Sequence, residues 1–215
     1  MSLLSRLESI ARGRSAGADP AHDFLHVRRV AQNGRTIARA EGADEQVVLA
    51  AALLHELFNY PKGHPDSHRS GEVCAEHAAV VLREEKCEPA FVERVAYAIR
   101  VHPFSLGIRG ETLEARVLQD ADRLDAIGAV GIARCFATCA SMGRPLYAPE
   151  EDPFCDHREP DDKAWGVDHF YRKLLRIPEH LSTATARAMA AERVAFLHAY
   201  LEQLRREILG KASRK

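Results

Sequence analysis

The chain has 215 residues, enough for one domain with a sizeable core. Hydrophobic residues make up 46% and charged residues 28%, a globular balance that excludes extended disorder as the main state. Thirty basic residues against thirty-one acidic ones remove the electrostatic basis for an extended nucleic-acid surface, leaving room only for a local basic pocket.

The opening MSLLSRLESIARGR reads as a short amphipathic helix, not as a signal peptide. No apolar run approaches the roughly 20 residues that span a bilayer, so no membrane partner and a cytoplasmic location are expected. From Asp23 to Ala40, Phe24, Val27, Val30, Ile37 and Ala38 recur at helical spacing, and Gly42 is a natural stop. Asp44 then caps a helix whose buried stripe is Val47, Val48, Ala51, Leu54 and Phe58. The stretch NYPKGHPDSHRSG reads as a loop. Helices are expected over about Gly71–Lys86 and from Pro89 to Val101, where His102 and Pro103 end the second.

Thr112, with Ala115, Val117, Leu118 and Ala121, begins a fifth helical pattern. The following DAIGAVGIARCFATCASMG is rich in small residues and suits a closely packed helix. Residues 143–167 carry four prolines and many charges and read as a loop or lid over a site. A final helix pair is expected over Asp168–Leu175 and Ser182–Leu209, with a frayed KASRK tail. The stripe Ala188, Val194, Leu197, Leu201 and Leu204 suits packing on the bundle or on a second subunit of a homodimer. No alternating strand pattern of useful length occurs, so the expected fold is all-α: a single helical bundle over 1–215, with its core at about 20–140 and a C-terminal helical extension.

The five cysteines are odd in number and form no Cys-x-x-Cys pair, which points to reduced, mostly buried thiols. Cys135 and Cys139 share a helix face, but that spacing alone makes no zinc site.

The chemistry concentrates in a few polar residues set among apolar ones. His55 and Glu56 lie near the end of AAALLHELF, where burying a carboxylate among leucines is costly unless a cation compensates it. Alone, such a pair reads as a solvated helix end. His26, framed by Phe24, Leu25, Val27 and Val30, reads alone as a satisfied core histidine. Asp120, Asp122 and Asp125 crowd an apolar stretch, where at least one carboxylate needs a positive partner, a metal or an arginine such as Arg116 or Arg123.

Taken together, HDFLHVRRV, AALLHEL, HPDSHRSG and VLQDADRLDAIGAVGIARCF resemble the HD-domain metal-dependent phosphohydrolases, in particular the bacterial stand-alone branch with nucleotide pyrophosphohydrolase-like members. The resemblance covers roughly residues 20–140. It implies an HD-type helical domain and one divalent metal held by His26, His55, Glu56 and Asp122. It further implies hydrolysis of a phosphate ester or anhydride, with Asp122 and Glu56 as catalytic residues.

The doublet departs from the family's His-Asp, because Glu56 adds a methylene to the carboxylate. A degenerate domain that binds a nucleotide or partner without efficient catalysis is therefore the alternative. Two imidazoles with two carboxylates suit Mn²⁺, Fe²⁺, Co²⁺, Ni²⁺ or Mg²⁺, with Mn²⁺ as the leading candidate. A phosphorylated substrate, expected to be a nucleotide, also needs nearby cationic or polar contacts, for which Lys62, His64, His68, Arg69, His102 and Arg123 are the candidates. Ser70 and Gly71 offer a weak phosphate-binding helix start.

Overall fold

The computed structural model describes residues 1–14, 23–60, 64–149 and 152–210. Among these the protein is all-α, with nine α-helices, three 3₁₀ segments and no strand. No described helix is by itself long and apolar enough to cross a membrane. The chain divides into two compact units: Met1–Leu124 with Leu181–Ala186, and Asp125–His180 with Arg187–Lys215.

The first unit begins with α1 (Leu3–Arg14) and α2 (Phe24–Glu41). Asp23 caps α2 by accepting the His26 N–H, and Gly42 ends it in the left-handed region at φ 76°. Helix α3 (Glu45–Leu54) starts under the Asp44 cap and is buried on every side from Val47 to Leu54. It is a core helix with no solvent face.

Helix α3 ends at Leu54, a full turn before the expected Phe58, which is half-buried outside the helix. His55 is the C-cap of α3 and Glu56 lies in the turn beyond.

A 3₁₀ turn at Ser67–Arg69 leads into α4 (Ser70–Glu84), which packs on α5 (Pro89–Val101). Gly71 is needed there: a Cβ would lie 2.6 Å from the Arg100 carbonyl oxygen and 2.8 Å from Pro103. Close packing of α4 against the end of α5 therefore accounts for Gly71 at the start of α4. Helix α6 (Leu113–Asp125) is opened by Thr112, whose hydroxyl accepts the Ala115 N–H.

Gln119 is fully buried on α6. It donates to the carbonyls of Val101 and Ile108 and accepts from Gly110 N–H, tying the connection after α5 to α6. Asp120, also fully buried, accepts from the backbone N–H groups of Ser182 and Thr183 and from the Thr183 hydroxyl. That anchors the distant segment Leu181–Ala186 within this unit.

The second unit contains α7 (Gly128–Ser141), α8 (Gly166–Arg172) and a 3₁₀ segment at Leu174–His180. Most of α9 (Ala184–Leu209) follows, so the helix expected over Asp168–Leu175 is shorter and continues as 3₁₀. Asp168 organises the connection before α8. Its carboxylate receives two bonds from Arg158, at 2.5 and 2.8 Å, and one from the Asp161 N–H. Arg158 also lies over the Trp165 ring.

On α9, Leu197 and Leu201 are buried and Val194 and Leu204 half-buried as the stripe requires. Ala188 is exposed, and Ala186 and Ala190 take the buried positions instead. All five cysteines are free thiols. The KASRK tail lies outside the described residues.

Candidate metal centre

Three helices of the first unit bring four donors together. His26 comes from the first turn of α2, fully buried; His55 and Glu56 come from the end of α3; Asp122 comes from α6. His26 Nε2 lies 3.2 Å from His55 Nε2, 3.6 Å from Glu56 Oε1 and 3.5 Å from Asp122 Oδ1. His55 Nε2 lies 4.0 Å from Glu56 Oε1. His26, His55 and Glu56 form a compact trio with ligand atoms within 4.8 Å of one another, and Asp122 approaches it through His26.

Because α3 stops at Leu54, His55 folds back and its Nδ1 meets the Ala52 carbonyl oxygen at 2.7 Å. A carbonyl only accepts, so Nδ1 carries the hydrogen and the Nε2 of a neutral His55 presents a lone pair. Burial lowers the His55 pKa to about 4, with Glu56 opposing the shift and His26 and His102 reinforcing it. His55 is therefore neutral at pH 7. A second bare nitrogen 3.2 Å away would repel it, so a cation-free cluster needs the His26 Nε2–H to donate to His55.

Burial pushes the Asp122 carboxyl up, but the facing imidazoles of His26, His55 and His102 outweigh it and hold the pKa below its ordinary value. Glu56 is steered by Asn59, whose amide donates to Oε2 at 3.0 Å while Oε1 is the atom near the imidazoles.

These donors fit a divalent cation. Atoms bound about 2.1 Å from one ion lie about 3 Å apart when adjacent and about 4.2 Å apart when opposite. The spacings of 3.2, 3.5, 3.6 and 4.0 Å fall in that range. Two imidazoles and two carboxylates also make a nitrogen–oxygen set, and no second group of this kind occurs among the described residues.

The three crowded aspartates have separate surroundings. Asp120 is taken by Ser182 and Thr183, Asp125 pairs with Arg134 at 2.7 Å, and Asp122 faces His26.

The expected substrate contacts are dispersed. His102 caps α5, and its Nδ1 lies 2.5 Å from the Ile99 carbonyl oxygen. Its ring stands edge-on to His55 with centroids 5.3 Å apart. Arg123 is buried, with Asp120 at 3.9 Å and the Phe104 ring beneath its guanidinium. Arg69 is exposed and pairs with Glu72. His64 stacks on Tyr60, His68 is exposed near the Pro65 carbonyl, and Lys62 lies outside the described residues.

Two neighbours of the centre were missed in the sequence. Asn59, three residues after Glu56, was readable as a local partner. Cys74 was not: it sits on the apolar stripe of α4, and only packing brings its sulfur to the carbonyls of His55 and Leu54, at 3.1 and 3.4 Å. Burial pushes the Cys74 thiol up to about 12, so it stays protonated.

The HD domain family model matches residues 23–127, which spans every donor of this centre. The chain belongs to the HD-domain family. It is 34% identical over 208 residues to the protein YpgQ of Bacillus subtilis (strain 168), covering 95% of this chain and 91% of that one. The crystal structure of B. subtilis YpgQ in complex with ADP superposes with a TM-score of 0.75 at 32% identity, over 95% of this chain and 97% of that chain. A crystal structure described as an HD-superfamily hydrolase from Bacillus thuringiensis gives 0.75 at 26% identity, over 97% of each chain. Membership of a hydrolase superfamily and the all-α fold agree with the resemblance in the motifs.

Proposed function

We propose that this protein is a divalent-metal-dependent phosphohydrolase acting on a nucleotide. The observation that carries this reading is the convergence of His26, His55, Glu56 and Asp122 at ligand spacing. In it, these four side chains hold one divalent cation, with Mn²⁺ the first choice for a mixed nitrogen–oxygen set. A bound divalent ion lowers the pKa of its water towards about 7 and polarises a phosphoryl oxygen.

The chain's own residues do the rest. Ala52 fixes the tautomer of His55 so that Nε2 faces the donors. Asn59 holds one oxygen of Glu56, leaving the other for the ion. Asp122, whose pKa the imidazoles hold below its ordinary value, accepts a hydrogen bond from the attacking water and so orients it. His102 commits its Nδ1–H to the Ile99 carbonyl and sets its ring edge-on to His55, so its Nε2 can accept from a water or from a protonated phosphate oxygen. The nucleotide assignment draws on the ADP complex of the B. subtilis relative.

A second reading is favoured by Glu56, where the family doublet carries aspartate: a degenerate domain that binds a nucleotide or partner without efficient catalysis. One experiment separates the two. Protein purified without chelator is assayed for bound metal, then incubated with Mn²⁺ and a panel of nucleoside mono-, di- and triphosphates, scoring released phosphate and pyrophosphate. Metal with turnover supports the hydrolase, nucleotide binding without turnover supports the second reading, and absence of metal sinks the first.

A further inference from the structure

Helix α3 ends awkwardly for a ligand-bearing segment. Its last carbonyls lack helical partners, and the chain must turn within Leu54–Phe58 while carrying His55 and Glu56. Within the turn's own backbone the Leu57 N–H donates to the Leu54 carbonyl. The Ala52 carbonyl holds the His55 ring and Asn59 holds Glu56, and a further constraint comes from another helix. Cys74 on α4 is 1% exposed, and its Sγ lies 3.1 Å from the His55 carbonyl oxygen and 3.4 Å from that of Leu54. One atom of α4 thus meets both carbonyls that open the turn.

We infer that Cys74 is a positioning residue for the metal centre: its thiol holds the carbonyls of Leu54 and His55, where the turn Leu54–Phe58 begins, and so sets where His55 and Glu56 present their ligand atoms. Sulfur suits the task because it is large enough to reach several backbone groups at 3.1–3.4 Å and acts as both weak donor and weak acceptor. A thiol also carries no charge to compete for the cation. The consequence for metal binding rests on the proposed function, whereas the hold on the turn does not.

The test compares wild-type protein with Cys74→Ser, Cys74→Ala and Cys74→Val. Serine keeps a donor and acceptor, alanine removes both, and valine refills the volume without either. Two readouts are taken on full-length protein: amide hydrogen exchange of Leu57 and Phe58 without metal, and Mn²⁺ affinity by calorimetry. Alanine and valine should each speed exchange at both amides and weaken Mn²⁺ about tenfold, the lower end for loss of a group that orients a ligand. Serine should restore most of both.

A role in packing alone predicts the opposite grouping, with valine close to wild type and serine close to alanine, and that result overturns the inference. Unchanged exchange in all three variants overturns it too, whatever the metal does. If wild-type protein binds no Mn²⁺, the metal reading fails by itself, and the exchange data still decide whether Cys74 holds the turn.

Discussion

In the second unit the buried carboxylate of Asp168 receives two bonds from the Arg158 guanidinium and a third from the Asp161 N–H. In the first unit the carboxylates of Asp122 and Glu56 face two imidazoles, one of which burial keeps neutral. Both regions bring acidic oxygens into a poorly solvated place, where an ionised carboxylate needs compensation. Arg158 supplies a permanent positive charge from the chain itself. His55 supplies a lone pair. The contrast separates a cluster that completes itself, and so braces a loop, from a cluster built of donor atoms, which gains by taking up a cation.

Breaking the donor cluster should have the largest effect. Asp122→Ala is expected to reduce Mn²⁺ affinity by at least about a hundredfold, the upper end of the cost of losing a mere supporting partner. Phosphate release should vanish with it. Calorimetry and the nucleotide assay would read both, and retained activity would remove Asp122 from the site.

Breaking the self-sufficient cluster should leave metal affinity alone and lower stability. Arg158→Ala strands a fully buried carboxylate and removes the guanidinium from Trp165, which should cost roughly 3 kcal/mol in urea unfolding. A loss under about 1 kcal/mol would mean that solvent already reaches the pair.

The two clusters should also respond to acid in different windows. The folded His55 pKa of about 4 lies below the ordinary 6.5, so between these values the unfolded chain binds the extra proton. Stability of metal-free protein from this group is complete above pH 6.5 and falls as pH drops towards 4, with a slope of at most about 1.4 kcal/mol per pH unit. Asp168 behaves otherwise. Burial pushes its pKa up, but the bonds from Arg158 and Asp161 prevail and leave it below 3.8. Its contribution persists through the His55 window and disappears only as pH falls through that lowered value. Denaturation midpoints from pH 7 to pH 3, compared for wild type and His55→Gln, would show whether the first loss belongs to His55.

The smallest expected change sharpens the question of the doublet. Glu56→Asp should preserve turnover or raise it by about threefold, because charge and donor type stay the same and only reach changes. A large loss would show that Asn59 and the turn are fitted to glutamate.

Much of this architecture could be read along the chain. Asp23, Gly42, Asp44, Pro89 and Thr112 mark helix ends through local chemistry, namely side-chain caps, a left-handed glycine and a proline first turn. That His26, His55 and Glu56 gather, with Asp122 beside His26, was legible from ordered motifs and family resemblance, since each motif carries its own apolar frame. The end of α3 was not legible, because Val47–Phe58 reads as one apolar period although the helix stops at Leu54, where Cys74 of a distant helix meets its last carbonyls. The fates of Asp120, Asp122 and Asp125 were equally hidden. Their partners, Thr183, His26 and Arg134, lie up to 96 positions away, and local spacing carries no information about such contacts.

Sequence by itself determined the all-helical class, most helix starts and the residues able to bind a metal, because capping and apolar periodicity act within a few residues. Only the tertiary structure decided which nitrogen of His55 faces the centre and which aspartate stays beside it. Those choices depend on burial and on hydrogen-bond partners that folding alone brings together.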